Sequence, residues 1–541
     1  MNQLTKEFLL QEYKALKNNA LEYYEKGRFN SAINLLTFSS KIAEAYPILK
    51  EFIDDETESI LTDIATRILK NYISQSSTAN SSKDLSGGTR PTIFSNSENS
   101  DKRIVFYNGQ IIDSGALTEQ YLYFFLDKGY SVLFFVPDIS NTVNGSRILE
   151  FIAKEPKVEL FIPHEKNSVS KIRAISQKID EFKPTHAFLH FLPADTVGFC
   201  SFVHKKHLKR YYIVHNDHTF WLGKACSDYF IEFRKFGYQL SHIRRGIDQK
   251  KLLLVPFYPI FQNIPFQGFP FDREGKVVGF SAANLYKYYK DPELQLFHVI
   301  KDLLLKYPDF VFCLAGYGNA EILNSFIKEY KLENRFYYLG KRSDFYNLVG
   351  NVDILFESYP FKGGLTVLYA VLQNIAITGM ANMKSASQTT SEYFDFEVKY
   401  NEPDNFNRLE EDASQLITSA EKRKERADLF KIAPNTKQEF QRRMTKVMND
   451  DTEDFLRNYD SLLSYDDDYA LSEYMSLPKV GLDFNIRKYI MLKNELSLTE
   501  KIHIANNLFK NDDFYFKNRV RWVNVLLRIY RILFKVKSRN T

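Results

Sequence analysis

From Lys102 onward the chain alternates short, nearly continuous apolar runs with stretches of helical periodicity, and few architectures accept that pattern. RIVFYNG (103–109), YSVLFFVP (130–137), VELFIP (158–163), THAFLHFLP (185–193), RYYIVHN (210–216) and DYFIEFR (228–234) form a first series. KVVGFSAA (276–283), FVFCLAGYG (310–318), FYYLG (336–340), VDILFES (352–358) and IAITGM (375–380) form a second. A strand without a polar face must be covered on both sides, which means a parallel sheet sandwiched by helices. Between the series, VPFYPIFQNIPFQGFPFD (255–272) is rich in Pro and Phe and breaks the rhythm. The expectation is an α/β fold of two Rossmann-like domains, 102–262 and 263–425, with a ligand cleft between them.

The flanks read differently. Residues 1–73 have helical spacing, and ALEYYEKGRFNSAINLLTFSSKIA (20–43) resembles one tetratricopeptide unit, with Gly27 in the turn. An unrelated helical hairpin fits equally well, and a single unit could not bury its own face. Residues 74–101 form a polar linker too poor in apolar side chains to fold alone. Residues 426–541 read as a helical extension ending in a basic amphipathic helix.

Charge is concentrated in that last segment. Residues 514–541 carry eight Lys or Arg and no acid, leaving 64 basic against 67 acidic residues in the other 513. A body at −3 does not bind nucleic acid by electrostatics. Lys517, Arg521, Arg528, Arg531 and Lys535 line one stripe beside Trp522, Leu526, Leu533 and Phe534. A broad apolar face with a basic stripe suits an anionic membrane surface, the alternative being a helix packed on the protein. Three widely spaced cysteines, an N-terminus without a signal-peptide core and no long apolar run point to the cytoplasm, peripheral at the inner face of the membrane.

The strongest chemical signal is VDILFESYPFKGGLTVLYAVLQNIAI (352–377). A strand ending near Glu357 leads through a glycine-containing loop into an apolar helix starting near Gly364. Unpaired N–H groups and a partial positive charge at a helix start suit an anion, and glycines let it approach. Gly363, Gly364, Leu365 and Thr366 are therefore a candidate diphosphate cradle.

The segment from Tyr359 to Ala370, Y-P-F-x-G-G-x-T-x-x-x-A, resembles the donor-phosphate loop of GT-B glycosyltransferases. The branch concerned includes bacterial surface-glycan transferases and protein O-linked N-acetylglucosamine transferases. GFSAANLYKYYKDPELQ and NRFYYLGKRSDFYNLVG precede it in the expected order. The resemblance implies that Lys287, or its rival Lys290, contacts the donor phosphates. It also places Gly340, Lys341 and Arg342 at the nucleotide base, and Glu357 and Tyr359 beside the donor. Many retaining members carry a second acid eight positions after the first, and here Leu365 occupies that place. No cofactor or metal is required, and a UDP-linked sugar is the expected donor.

A second cluster, YYIVHNDHTFWLGKACSDYFIEFR (211–234), puts Asp217, His218 and Trp221 at the carboxyl edge of the first sheet, where ligands of such folds bind. His218 is the candidate base, since histidine titrates near neutrality, with Asp217 orienting it. Trp221 is either a sugar-stacking platform or core. Asp113, after the first strand, is a rival base. Gly316 and Gly318, without a third glycine, close a strand–helix turn rather than bind a dinucleotide. The expected activity is sugar transfer from a nucleotide-diphosphate sugar to a glycan, lipid-linked or protein acceptor. A GT-B nucleotide-sugar epimerase and a non-catalytic partner subunit remain as alternatives.

Overall fold

The computed structural model describes residues 2–76, 102–109, 117–137, 146–381, 390–394, 400–431 and 435–455. Asp113, the 77–101 part of the linker and the basic tail 514–541 therefore lie outside the described residues.

Three helices open the chain: α1 (Asn2–Glu25), α2 (Phe29–Ala45) and α3 (Asp55–Ser76). Gly27, at φ 72°, makes the turn between the first two, a conformation glycine adopts without strain. The Asp54 carboxylate accepts from the N–H groups of Glu56 and Thr57 at 3.1 Å and so starts α3.

The first α/β unit runs β1 (Arg103–Asn108), α4 (Leu117–Asp127), β2 (Ser131–Phe135), α5 (Arg147–Ile152), β3 (Val158–Phe161), α6 (Ser168–Phe182), β4 (His186–His190), α7 (Thr196–Phe202), β5 (Lys209–Ile213), β6 (Tyr229–Glu232), α8 (Lys235–Ile243) and β7 (Leu252–Leu254). Its strands are parallel in the order β3-β2-β1-β4-β5-β6-β7. The edge strand β7 was not expected from the sequence, because three leucines are too short to show a period.

The second unit runs β8 (Val277–Ala282), α9 (Tyr286–Tyr289), α10 (Gln295–Lys306), β9 (Phe310–Ala315), α11 (Glu321–Glu329), β10 (Phe336–Gly340), α12 (Phe345–Val349), β11 (Ile354–Phe356), α13 (Gly364–Leu372) and β12 (Ala376–Thr378). Its order, again parallel, is β10-β9-β8-β11-β12. Each sheet reverses its winding beside its first strand, which opens a crevice at the carboxyl ends of β1 and β4 and of β8 and β11. The expected two-Rossmann, GT-B arrangement is the one found.

Three further helices follow, α14 (Phe406–Thr418), α15 (Ala420–Leu429) and α16 (Lys437–Met448). Arg426 on α15 pairs with Asp412 at 2.7 Å and donates to the Ile377 carbonyl, fastening α15 to the second sheet. By contrast α16 returns to the first. Phe440 packs on Tyr121, Phe124 and Tyr258, and Arg443 donates to the Leu254 carbonyl at 2.7 Å.

The N-terminal helices do not stand apart. Leu36, Leu61 and Ile64 share one core with Ile172, Ile175 and Phe199 of α6 and α7, so the first domain supplies the neighbour that a lone hairpin lacks. The buried Glu58 carboxylate on α3 accepts from the N–H groups of Gly223, Lys224 and Ala225 at 2.6–3.0 Å. Burial nonetheless pushes its pKa up to about 7. Among the described residues no helix is long and apolar enough to cross a membrane.

Candidate active site

On the second domain, the carboxyl ends of β8 and β9 and the loop after β10 meet the first turn of α13 around a cavity of about 620 Å³. Its walls include Ala282, Asn284, Gly316, Tyr317, Lys341, Arg342, Leu365, Thr366 and Tyr369. Of the residues expected at the donor, Lys341, Arg342, Leu365 and Thr366 line this space. The guanidinium of Arg342 is held by Asp344 at 2.6 and 2.8 Å and by the Gly268 carbonyl, which anchors the interdomain crossing to the domain. Lys341 is exposed.

The two lysines of the NLYKYYK segment both reach the 359–366 loop. Lys287 Nζ donates to the Lys362 carbonyl at 3.2 Å, and desolvation lowers its pKa from the ordinary lysine value. Lys290 Nζ lies 3.6 Å from the centroid of the Phe361 ring. Gly340 ends β10 at φ 63° and its carbonyl accepts from Gly316 N at 2.9 Å. Gly316 itself passes so close to Ala283 that a Cβ there would meet the Ala283 carbonyl oxygen at 1.9 Å, so the glycine serves the turn.

Beneath the loop, Glu357 is buried with Lys362, whose Nζ donates to Glu357 Oε2 at 2.5 Å and to Thr390 Oγ1 at 2.9 Å and also pairs with Glu402. Burial lowers the Lys362 pKa and Glu357 opposes that shift. One lysine between two carboxylates braces the loop from below. Tyr359 packs edge-on against Phe406. Neither Glu357 nor Tyr359 lines the cavity.

Gly364 has a structural reason to lack a side chain. A Cβ there would lie 2.2 Å from the ring of Tyr393, whereas one on Gly363 would come no closer than 3.3 Å to another atom, Thr366 Oγ1. A bulky residue at 364 would therefore displace Tyr393, so packing gives that glycine a reason of its own beside the anion approach expected of the pair.

In the first domain, the β1–β4 register sets Asn108 beside His190, and Asn108 Oδ1 lies 3.1 Å from His190 Nδ1. His190 Nε2 is 3.4 Å from His215 Nδ1. Burial holds the His190 pKa well below its usual value and that of His215 at about 4, so both rings are neutral at pH 7.

His218 differs. Its side chain is 38% exposed, and Nδ1 sits 3.1 Å from Asp217 Oδ1, which leaves Nε2 turned away from the carboxylate. Asp217 is fully buried and gripped by Arg234 through Nε and, at 2.8 Å, Nη2. Burial would raise its pKa, but the charge and hydrogen bonds of Arg234, helped by His218, hold it far below the usual carboxylate range. Arg245 donates to the carbonyls of Asp217 and Thr219 at 2.6 and 2.8 Å and shapes the loop from behind. A carboxylate ionised at neutral pH and fixed against one ring nitrogen is an arrangement that can orient a histidine as a base.

Trp221 is core. It is 1% exposed and stacked on Tyr212 at 4.6 Å, and its backbone N–H donates to the Phe52 carbonyl, so it offers no platform to a sugar.

The two domains meet through residues that the sequence did not single out. Arg234 lies 5.4 Å from the Tyr393 ring centroid, and that ring abuts Gly364. A continuous path, His218–Asp217–Arg234–Tyr393–Gly364, thus joins the candidate base to the candidate phosphate loop. Arg234 closes the strand run DYFIEFR, so its place at a carboxyl edge was a usable signal. Tyr393 follows a stretch with no periodicity and carried none.

No protein-family model matches the chain, and no curated protein matches it. Solved structures similar to it include a glycosyltransferase from Rickettsia africae, at 14% identity and a TM-score of 0.49, covering 65% of this chain and 99% of that one. Another is Anabaena HepE in complex with UDP and glucose, at 15% identity and a TM-score of 0.48, covering 64% and 100%. A third is a putative UDP-N-acetylglucosamine 2-epimerase from Listeria monocytogenes, at 11% identity and a TM-score of 0.47, covering 68% and 99%.

Proposed function

We propose that this chain is a glycosyltransferase that takes a sugar from a nucleotide-diphosphate donor, expected to be UDP-linked, and gives it to a hydroxyl of a glycan, lipid-linked or protein acceptor. The observation that carries the reading is the path from His218 to Gly364, which sets a carboxylate-oriented histidine across the cleft from a glycine-bearing helix start. The donor diphosphate lies at Gly363–Thr366, where N–H groups and the helix dipole offset the charge that grows on it as it leaves. Lys287 or Lys290 adds a compact cation. Lys341 and Arg342 face the base, while Glu357 and Tyr359 hold the loop.

In the reaction, the acceptor oxygen forms a bond to the sugar's anomeric carbon as the bond from that carbon to the diphosphate oxygen breaks. The acceptor proton passes to His218 Nε2, and the nucleoside diphosphate leaves with the bonding electron pair. Asp113 is the rival base. Residues 514–541 bring the enzyme to an anionic membrane surface on the cytoplasmic side.

The test is release of nucleoside diphosphate from candidate nucleotide sugars with and without acceptor glycans. Acceptor-dependent release supports transfer. Conversion of the donor to its epimer without acceptor would establish the epimerase reading instead, and donor binding without turnover a non-catalytic partner.

A further inference from the structure

The donor cavity has one wall that the second domain does not supply. Its lining is drawn from β8 to α13 and from the crossing residues Ile260, Phe261 and Gln262, except for Arg147 of the first domain. Arg147 is the first residue of α5, after Ser146, whose hydroxyl accepts from Leu149 N at 3.4 Å and starts the helix. From that fixed origin the side chain is steered by Glu119 on α4, which is 3% exposed. Nε donates to Glu119 Oε1 at 2.8 Å and Nη2 to Oε2 at 2.5 Å. Nη1 has no hydrogen bond among the described residues, and the side chain keeps 38% of its surface exposed. One edge of the guanidinium is therefore held by a buried carboxylate, and the residue lines the cavity.

We propose that Arg147 is a donor-binding residue that reaches across the interdomain cleft and hydrogen-bonds the diphosphate held at the Gly363–Thr366 helix start. This rests on the donor reading above and names a contact that the family resemblance did not imply. A guanidinium already bound along one edge keeps N–H groups in a fixed plane for phosphoryl oxygens. The other cations near the loop are placed differently. Arg342 is bound by Asp344 and, through both Nη atoms, by the Gly268 carbonyl as well, Lys287 Nζ sits on a carbonyl, and Lys290 lies over Phe361. Arg147 shares the cavity wall with Thr366 and Tyr369, which lie three residues apart on one face of α13. Because Glu119 cancels the net charge of the pair, the contribution is a directed hydrogen bond to an anion rather than long-range attraction.

The experiment is calorimetric titration of the full chain with UDP, UMP and uridine, for the unaltered protein, Arg147→Ala and Arg147→Lys. The expected result is a loss of about 10- to 100-fold in UDP affinity for Arg147→Ala, the range of a hydrogen bond to a charged group. UMP should lose less, uridine nothing, and Arg147→Lys should recover part of the UDP affinity. Arg147→Ala takes the guanidinium away from the buried Glu119 carboxylate and should melt below the parent, whereas Arg147→Lys keeps the charge and should melt closer to it, so all affinities are compared well below the lower melting temperature. Equal UDP affinity in parent and Arg147→Ala overturns the proposal, as does an equal loss for uridine, which would put the arginine at the base. If the unaltered chain binds none of UDP, GDP or dTDP, the donor reading itself fails and the proposal goes with it.

Discussion

Replacing Asp217 by Asn tests whether the buried ion pair behind the candidate base holds the cleft together. The carboxylate is fully buried and Arg234 nearly so, at 0% and 5% side-chain exposure. Removing one member of such a pair strands the other charge in a low-dielectric site, at a cost of about 3–5 kcal/mol. For a domain of this size each kcal/mol moves the melting temperature by about 2–4 °C, so the Asp217→Asn variant should melt about 6–20 °C lower. Asparagine still accepts one hydrogen bond from Arg234, which favours the lower end. The double variant Asp217→Asn with Arg234→Met should recover a large part of the loss, because no unpaired charge remains. The pH dependence carries a definite sign. A folded-state pKa below the unfolded value of about 3.9 gives stability that is present above that pH and lost below it. The gap between parent and variant should therefore be constant near neutrality and narrow as pH falls below about 4. Thermal melts followed by circular dichroism between pH 3 and 8 decide it. An Asp217→Asn variant that melts with the parent at pH 7, or a gap that widens in acid, would refute the reasoning.

His218→Ala should lower turnover by about two to four orders of magnitude, on the order set by general-base catalysis, with UDP affinity intact; a near-normal rate moves the base to Asp113. Gly364→Ala should destabilise by about 1–3 kcal/mol by pressing on Tyr393, whereas Gly363→Ala should melt normally yet bind UDP more weakly. Normal UDP binding by Gly363→Ala would make the loop structural. Calorimetry of Lys287→Ala and Lys290→Ala should show the larger loss of UDP affinity in the first, since the Lys290 ammonium is held over Phe361. A chain ending at Asp513 should lose sedimentation with anionic liposomes while keeping donor affinity, each basic residue of the tail being worth about 1 kcal/mol at such a surface; unchanged sedimentation would return the tail to a packed helix.

What is legible in the sequence follows from where the information lies. Strands covered on both faces announce themselves as unbroken apolar runs, so eleven of the twelve strands among the described residues, and the parallel sheets, are readable from the residues alone. The exception was β7, because Leu252–Leu254 is too short for a pattern. The loop-to-helix junction at Gly363–Thr366 was readable for a similar reason: glycines beside an apolar helix start are a local signal. What a side chain does once the domains have closed is not local. Trp221 and His218 lie in one loop and were equally eligible for the site, but Tyr212, Phe52 and Arg245 bury the first and leave the second half-exposed. The glycine at 364 looked like a concession to a ligand, and packing against Tyr393, distant in sequence, supplies a second reason for it. Arg147 and Glu58 carry no motif at all. Each meets a segment far away in the chain, Arg147 the cavity beside α13 and Glu58 the loop after Trp221, and only the folded arrangement brings a charge from one to the other. Periodicity and local composition determine which elements form and how they are layered. The partners of buried charges depend on contacts between residues far apart in sequence, and only the tertiary structure decides those.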